Sequence, residues 1–145
     1  MARTARGPRK PGGSDDYQVF VSHATADKWI ATVICEKIEA AGATTFRDDR
    51  DIEGGDNIPD KVLAQIRRSR EMVVILTPKS VDRPWVLIEV GAALGRGRGI
   101  RIVPILYHVE IDPIPEMLKS KRAYHLNDFD SYLKGVSDRV RGGAR

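Results

Sequence analysis

The run Met72-Val-Val-Ile-Leu76 constrains this chain more than any other segment. A strand with one wet face alternates apolar and polar side chains, so an unbroken apolar run needs cover on both faces. Helices on each side of a parallel sheet supply such cover, and the flanking sequence reads as the matching parts. Tyr17-Gln-Val-Phe-Val-Ser22 is a β-branched and aromatic strand. After it Ile30, Val33, Ile34, Ile38 and Ala41 recur at the helical repeat, with Thr25 or His23 placed to open the helix and Gly42 to end it. Ala43 to Arg47 reads as a second strand, Asp48 to Asn57 as a long polar loop, and Pro59 as the start of a helix carrying Val62, Leu63 and Ile66.

Pro78 closes the apolar strand, which the pattern makes central, and Pro84 opens a helix running to about Gly95. Ile100 to Tyr107 is a fourth strand in which Pro104 argues for an edge or a bulge. Ala123 to Leu126 offers a short fifth, followed by a helix with Phe129, Tyr132, Leu133, Val136 and Val140, capped by Asn127 or Asp128. Strands and helices in alternation predict an α/β fold: a flavodoxin-like, doubly wound parallel sheet of four to five strands with helices on both faces.

The 145 residues suit one domain, whose folding buries roughly 68–70% of the unfolded surface. Against 20 acids stand 24 Lys and Arg, a formal charge of +4 that suggests a polyanion partner. The excess sits at the ends: Arg3, Arg6, Arg9 and Lys10 in residues 1–14, and Arg139, Arg141 and Arg145 in residues 139–145, neither with an acid. Without those seven cations the body has 17 basic and 20 acidic side chains, about −3. A basic nucleic-acid-binding globule is thereby excluded. Residues 1–14 are expected to be a disordered basic tail, 15–140 the domain and 141–145 a flexible end.

Cys35 is the one cysteine and lies in a helical pattern, so neither a disulfide framework nor a Cys-based zinc site is available, and a reducing, cytoplasmic setting is expected. No stretch has the apolar length of a signal core or a membrane span, so no membrane partner is expected. His23, His108 and His125 lack metal-ligand spacing, and the acidic loop lacks the twelve-residue calcium pattern ending in Glu. No metal is expected. Gly95-Arg-Gly-Arg-Gly99 follows a helix instead of joining a strand to a helix N-terminus, so it reads as a basic turn.

Polar residues cluster where the strands of such a sheet end, which is where ligands bind in this architecture. Ser22-His23, Arg47-Asp48-Asp49 and Thr77 to Arg83 follow the first three strands. No Gly-x-Ser-x-Gly elbow is present to support a nucleophilic serine. In the Pro84 helix, Val86, Leu87, Val90, Ala93 and Leu94 share one sector, while Trp85, Ile88, Glu89 and Ala92 share the opposite one. Trp85 and Glu89 therefore point together, away from the apolar stripe. The plain reading is a solvated acid beside an aromatic that covers a loop. The chemical reading is an aromatic wall beside a carboxylate, an arrangement suited to an electron-poor ring next to a developing cation.

With these segments in order, the chain resembles a TIR (Toll/interleukin-1 receptor) domain of the bacterial type over residues 15–140. Asp16-Tyr-Gln-Val-Phe-Val-Ser-His-Ala24 resembles the opening strand, Ala26-Asp27 the helix start and Ala41-Gly42 the helix end. Phe46-Arg-Asp-Asp-Arg-Asp-Ile-Glu-Gly-Gly-Asp56 resembles the second strand and the BB loop. Val74-Ile-Leu-Thr-Pro-Lys-Ser80 and Pro84-Trp-Val-Leu-Ile-Glu-Val-Gly-Ala92 resemble the third strand and the helix bearing the family glutamate.

The resemblance implies an NAD+ nucleosidase cleaving the nicotinamide–ribose bond in bacterial antiviral defence, with ADP-ribose or a cyclic isomer as product. NAD+ would be the substrate, with no cofactor. Glu89 would be catalytic, Trp85 would line the pocket, Ser22 and His23 would sit at its floor, Phe20 would also bind substrate, and Arg47 and Asp49 would contact phosphate and ribose. Asp51, Ile52, Gly54, Gly55 and Asp56 would form an interface loop in homotypic TIR–TIR assembly, and a sensor or effector outside this chain would supply the trigger. The alternative within the family is a non-catalytic adaptor. A phospho-receiver domain is disfavoured because Ser22-His23 and Thr77-Pro78 stand where its acids belong.

Overall fold

The structure, a computed structural model, describes residues 17–47, 59–80, 93, 95, 99–110, 118 and 121–142. Five strands, β1 (Gln18–Ser22), β2 (Thr44–Arg47), β3 (Glu71–Leu76), β4 (Arg101–Leu106) and β5 (Tyr124–His125), form one sheet in the order β2-β1-β3-β4-β5. Every pairing is parallel. The apolar run lies in β3, between β1 and β4, and all of β3 is buried.

Alternation along the strands divides the core in two. Val19, Val21, Val73, Ile75, Val103 and Ile105 face α1 (Lys28–Ala40) and α3 (Phe129–Arg141), meeting Ile34, Ile38, Tyr132 and Val136. Phe20, Met72, Val74, Leu76, Ile102 and Leu106 face the other way, onto Val62 and Ile66 of α2 (Asp60–Arg68), Ala93 and Leu118. Covering the five apolar side chains of β3 alone is worth on the order of 10 kcal/mol, at about 2 kcal/mol each.

Local signals are realised with two adjustments. Gly42 ends α1 at φ 109, where its N–H donates to the Glu39 carbonyl at 3.0 Å and the Ala43 N–H to the Ile38 carbonyl at 3.4 Å. This paired closure needs a left-handed residue, which glycine adopts without strain. At the other end neither Thr25 nor His23 opens the helix: a 3-10 turn, Thr25–Asp27, intervenes and Asp27 is the N-cap, with no capping bond from its carboxylate.

Pro104 lies in a strand with neighbours on both sides, yet the edge expectation holds locally. β5 pairs only with Ile105 and Leu106. The Arg101 N–H donates toward β3, to the Arg70 carbonyl at 3.3 Å, so by alternation the nitrogen of Pro104 faces the opposite side, where none of the described strands pairs with it.

Within the basic C-terminal end, Arg139 and Arg141 prove to be structural. Arg139 grips the fully buried Glu71 through Nε (2.6 Å) and Nη2 (3.1 Å), with side-chain exposures of 25% and 0%. The hydroxyls of Tyr132 (2.7 Å) and Tyr17 also donate to this carboxylate. Arg141 pairs with Asp138 at 2.5 Å on the surface. The Arg139 guanidinium passes close over Gly135, where a Cβ would come within 2.9 Å of Nη1.

Burial, then the Glu71 carboxylate, push the Tyr17 hydroxyl up to about 12 and raise that of Tyr132 well above its usual range. Both groups hold their protons more tightly folded than unfolded, so their contribution is intact below pH ~10 and is lost as pH rises toward ~12. Absorbance titration at 295 nm is expected to show two of the four tyrosines ionising late, coincident with unfolding. Two early, independent ionisations of Tyr17 and Tyr132 below pH 11 would contradict the buried network.

Candidate functional site at the switch point

The chain leaves β1 for α1 on one face of the sheet, whereas the segment after β3 carries Ala93, buried on the α2 face. Adjacent strands whose continuations part to opposite faces leave a crevice beyond their carboxyl ends, the ligand position of doubly wound folds. Ser22 and His23 follow from β1, Thr77 and Ser80 from β3, and all four are at most 3% exposed.

One interaction ties the two rims together. The Thr77 hydroxyl donates to Asp27 Oδ2 at 2.8 Å, and Asp27 is itself 6% exposed. The carboxylate spans from the turn after β1 to the turn after β3, which explains why it makes no capping bond to α1. The β3 turn is closed by its own side chains. The Thr77 N–H donates to Ser80 Oγ at 2.8 Å, Ser80 Oγ donates to the Ile75 carbonyl at 3.1 Å, and the Lys79 N–H donates to Thr77 Oγ1 at 3.1 Å. The crevice floor is therefore fixed before any ligand arrives.

Of the residues singled out from sequence, Ser22 and His23 meet at this floor. Phe20 is two residues deeper, fully buried on the α2 face with its ring 5.5 Å from that of Phe46. Arg47 ends β2, where its Nη1 donates to Thr32 of α1 at 2.5 Å. Ala93, assigned to the inward sector of the Pro84 helix, is completely buried. Trp85, Glu89, Asp49, Asp51, Ile52, Gly54, Gly55 and Asp56 lie outside the described residues. Thr77 stood out in the sequence as one of the polar residues at the strand ends and Asp27 only as a helix start, and their bridge was missed; an acid at a helix start beside a strand end was the available signal.

Beyond β4 and β5 lies a separate cavity of about 440 Å³ whose lining includes His108 and His125. His108 adopts φ 59, and its ring lies tilted against that of Tyr107, 4.2 Å between centroids. Among the described residues no group of three His, Cys, Asp or Glu is placed to hold a metal, and no helix is long and apolar enough to cross a membrane.

A parallel five-stranded sheet in this order, with buried polar residues at the carboxyl ends of β1 and β3, defines a flavodoxin-like α/β domain. The family model for the TIR domain matches residues 19–139, and the chain belongs to that family. The NAD(+) hydrolase TirS of Staphylococcus aureus is 29% identical over 127 residues, covering 85% of this chain and 43% of the relative. The probable 2' cyclic ADP-D-ribose synthase BdTIR of Brachypodium distachyon is 23% identical over 125 residues, covering 83% and 55%. The chain thus spans about half the length of these relatives. Among solved structures, a metazoan TIR-STING receptor from C. gigas superposes with a TM-score of 0.67 at 25% identity, over 83% of this chain and 39% of that one. The TIR domain of the Toll-related receptor TRR-2 from Hydra magnipapillata gives 0.63 at 22%, over 86% and 98%, a likeness of fold.

Proposed function

We propose that this chain is an NAD+-cleaving TIR domain, active when copies assemble and serving bacterial antiviral signalling. The observation that carries the reading is Glu89 standing in the motif of the family glutamate, in a chain whose relatives are named for NAD+ hydrolysis and cyclic ADP-ribose synthesis.

The bond concerned explains why one carboxylate can serve. In NAD+ the nicotinamide nitrogen is cationic, so cleavage returns the bonding pair to nitrogen and releases a neutral ring. No general acid is required, unlike the paired carboxylates that most O-glycosides need. Charge develops instead at the ribose C1′, and Glu89 stabilises it while accepting hydrogen bonds from the ribose hydroxyls. Trp85, one helical turn away, supplies a π-face for the electron-poor ring. Ser22 and His23 form the floor, and the Asp27–Thr77 bridge keeps the rims at fixed separation. Arg47 and Asp49 serve the phosphates and ribose. Water adding at C1′ and losing a proton gives ADP-ribose; a hydroxyl of the same molecule doing so gives a cyclic isomer.

The loop bearing Asp51, Ile52, Gly54, Gly55 and Asp56 docks beside a neighbouring copy, so isolated protomers are silent and an external sensor or effector sets the assembly state. NAD+ enters as substrate and no cofactor takes part. Dilute protein is expected to release nicotinamide at background rate, and protein clustered by a fused oligomeriser at least tenfold faster, with the ribosyl product identified by mass spectrometry. No turnover in any clustered state would leave a non-catalytic assembly module in its place.

A further inference from the structure

The N-terminal half of β4 borders a cavity of about 250 Å³ whose lining includes Arg101, Lys121, Arg122 and Arg139, together with Tyr124 and Tyr132. Among the described residues no Asp or Glu lines it, although the body of the domain has more acids than bases. Confined to a space of that size, the cations lie within about one Debye length of one another, so each raises the cost of its neighbours unless an anion is present.

The cations are also differently committed. Arg139 is held by Glu71 and lies 5.9 Å over the Tyr132 ring, and Arg122 lies 5.8 Å over the Tyr124 ring. These contacts fix the guanidinium groups in place. Glu71 neutralises only Arg139. Among the described residues no carboxylate pairs with Arg101, Lys121 or Arg122. The outer edge of β4 runs alongside and, among the described residues, is unpaired from Arg101 to Pro104 because β5 begins opposite Ile105. By the alternation that points the Arg101 N–H at β3, the Ile102 N–H points outward to this edge. Guanidinium forks, an ammonium and a backbone N–H are the donor set that phosphate oxygens accept from. Cations can also simply blunt an exposed strand edge, but Arg101 and Pro104 already do so, and Lys121 and Arg122 lie off the strand.

We propose that this cavity binds a phosphate or pyrophosphate group, free or carried by a nucleotide, as a second site at the N-terminal end of the sheet. β3 separates this end from the crevice by about 16 Å. The volume lies below that of pockets for drug-sized ligands, so the phosphate part is what the cavity holds.

The test is thermal unfolding and calorimetric titration of the full chain with pyrophosphate, phosphate or ADP at constant ionic strength. Pyrophosphate is expected to raise Tm saturably, by about 5 °C. The triple variant R101S/K121S/R122S, checked for folding by circular dichroism, should lose the rise, and K121E alone should weaken binding at least tenfold. Equal affinity for ADP and pyrophosphate would support a site for the free anion; tighter ADP binding would support a nucleotide-borne one. A chain lacking residues 1–14 should retain the effect, and its loss there would assign the binding to the tail and overturn the proposal. The proposal also fails if chloride matches pyrophosphate, if the triple variant responds like the parent, or if DNA binds and pyrophosphate does not.

Discussion

Replacing Glu89 by alanine is expected to cut nicotinamide release by clustered protein about a thousandfold while leaving Tm within a degree or so of the parent. A factor of that size is ~4 kcal/mol of transition-state stabilisation, the range lost when one preorganised electrostatic group is removed from an enclosed site. In the proposed mechanism Glu89 supplies so much because the leaving group needs no proton, so no second carboxylate shares the task. Glu89→Gln separates charge from hydrogen bonding. It keeps an acceptor for the ribose hydroxyls, and it should fall mainly in kcat with KM little changed, the pattern of an interaction made in the transition state alone. Activity retained in the alanine variant would remove Glu89 from the mechanism. Lost activity together with a lowered Tm would mark a structural role.

The largest expected effect on stability lies at the opposite end of the sheet. Arg139→Ala should destabilise the domain by about 4 kcal/mol and lower Tm by about 10 °C, because it strands the Glu71 carboxylate, 0% exposed, without its only charged partner among the described residues. The ionised carboxylate would keep two tyrosine hydroxyls as donors, which cannot offset the lost charge. Removing both partners, as in Glu71→Leu with Arg139→Met, should recover part of the loss, since an apolar pair carries no desolvation cost. Chemical denaturation of the single and double variants yields the coupling energy directly. A coupling near zero would show that the ion pair contributes only packing.

These two residues were unequally visible in the sequence. Glu89 stood out because helical phase and a tryptophan four positions away are local properties of the chain, and Ala93, which that phase assigns to the inward sector, is buried. Glu71 escaped notice. It precedes an apolar run and looks like the polar margin of a strand, while its partner Arg139 lies 68 residues further on, among the cations counted at the C-terminal end. The same holds in the crevice. Ser22 and His23 were legible as polar residues closing a strand, but the Asp27–Thr77 bridge spans 50 residues and leaves no periodic trace. The helix opening failed for the same reason: Asp27 would suit a cap, and a distant hydroxyl claimed its carboxylate.

By itself the sequence determined the parallel α/β class, the central place of the Met72–Leu76 strand, the turn at Gly42 and the family, because hydrophobic period, apolar run length and glycine conformation act within a few residues. Only the tertiary structure decided the strand order, hence the crevice between β1 and β3, and which charges ended up buried, shared or exposed. Those outcomes depend on pairings between segments far apart in the chain. At +4 the charge balance first suggested a basic surface; in the fold Arg139 is held by the buried Glu71, and Arg101, Lys121 and Arg122 gather at a cavity beside β4. A charge acts through its neighbours and its dielectric, and both are properties of the fold.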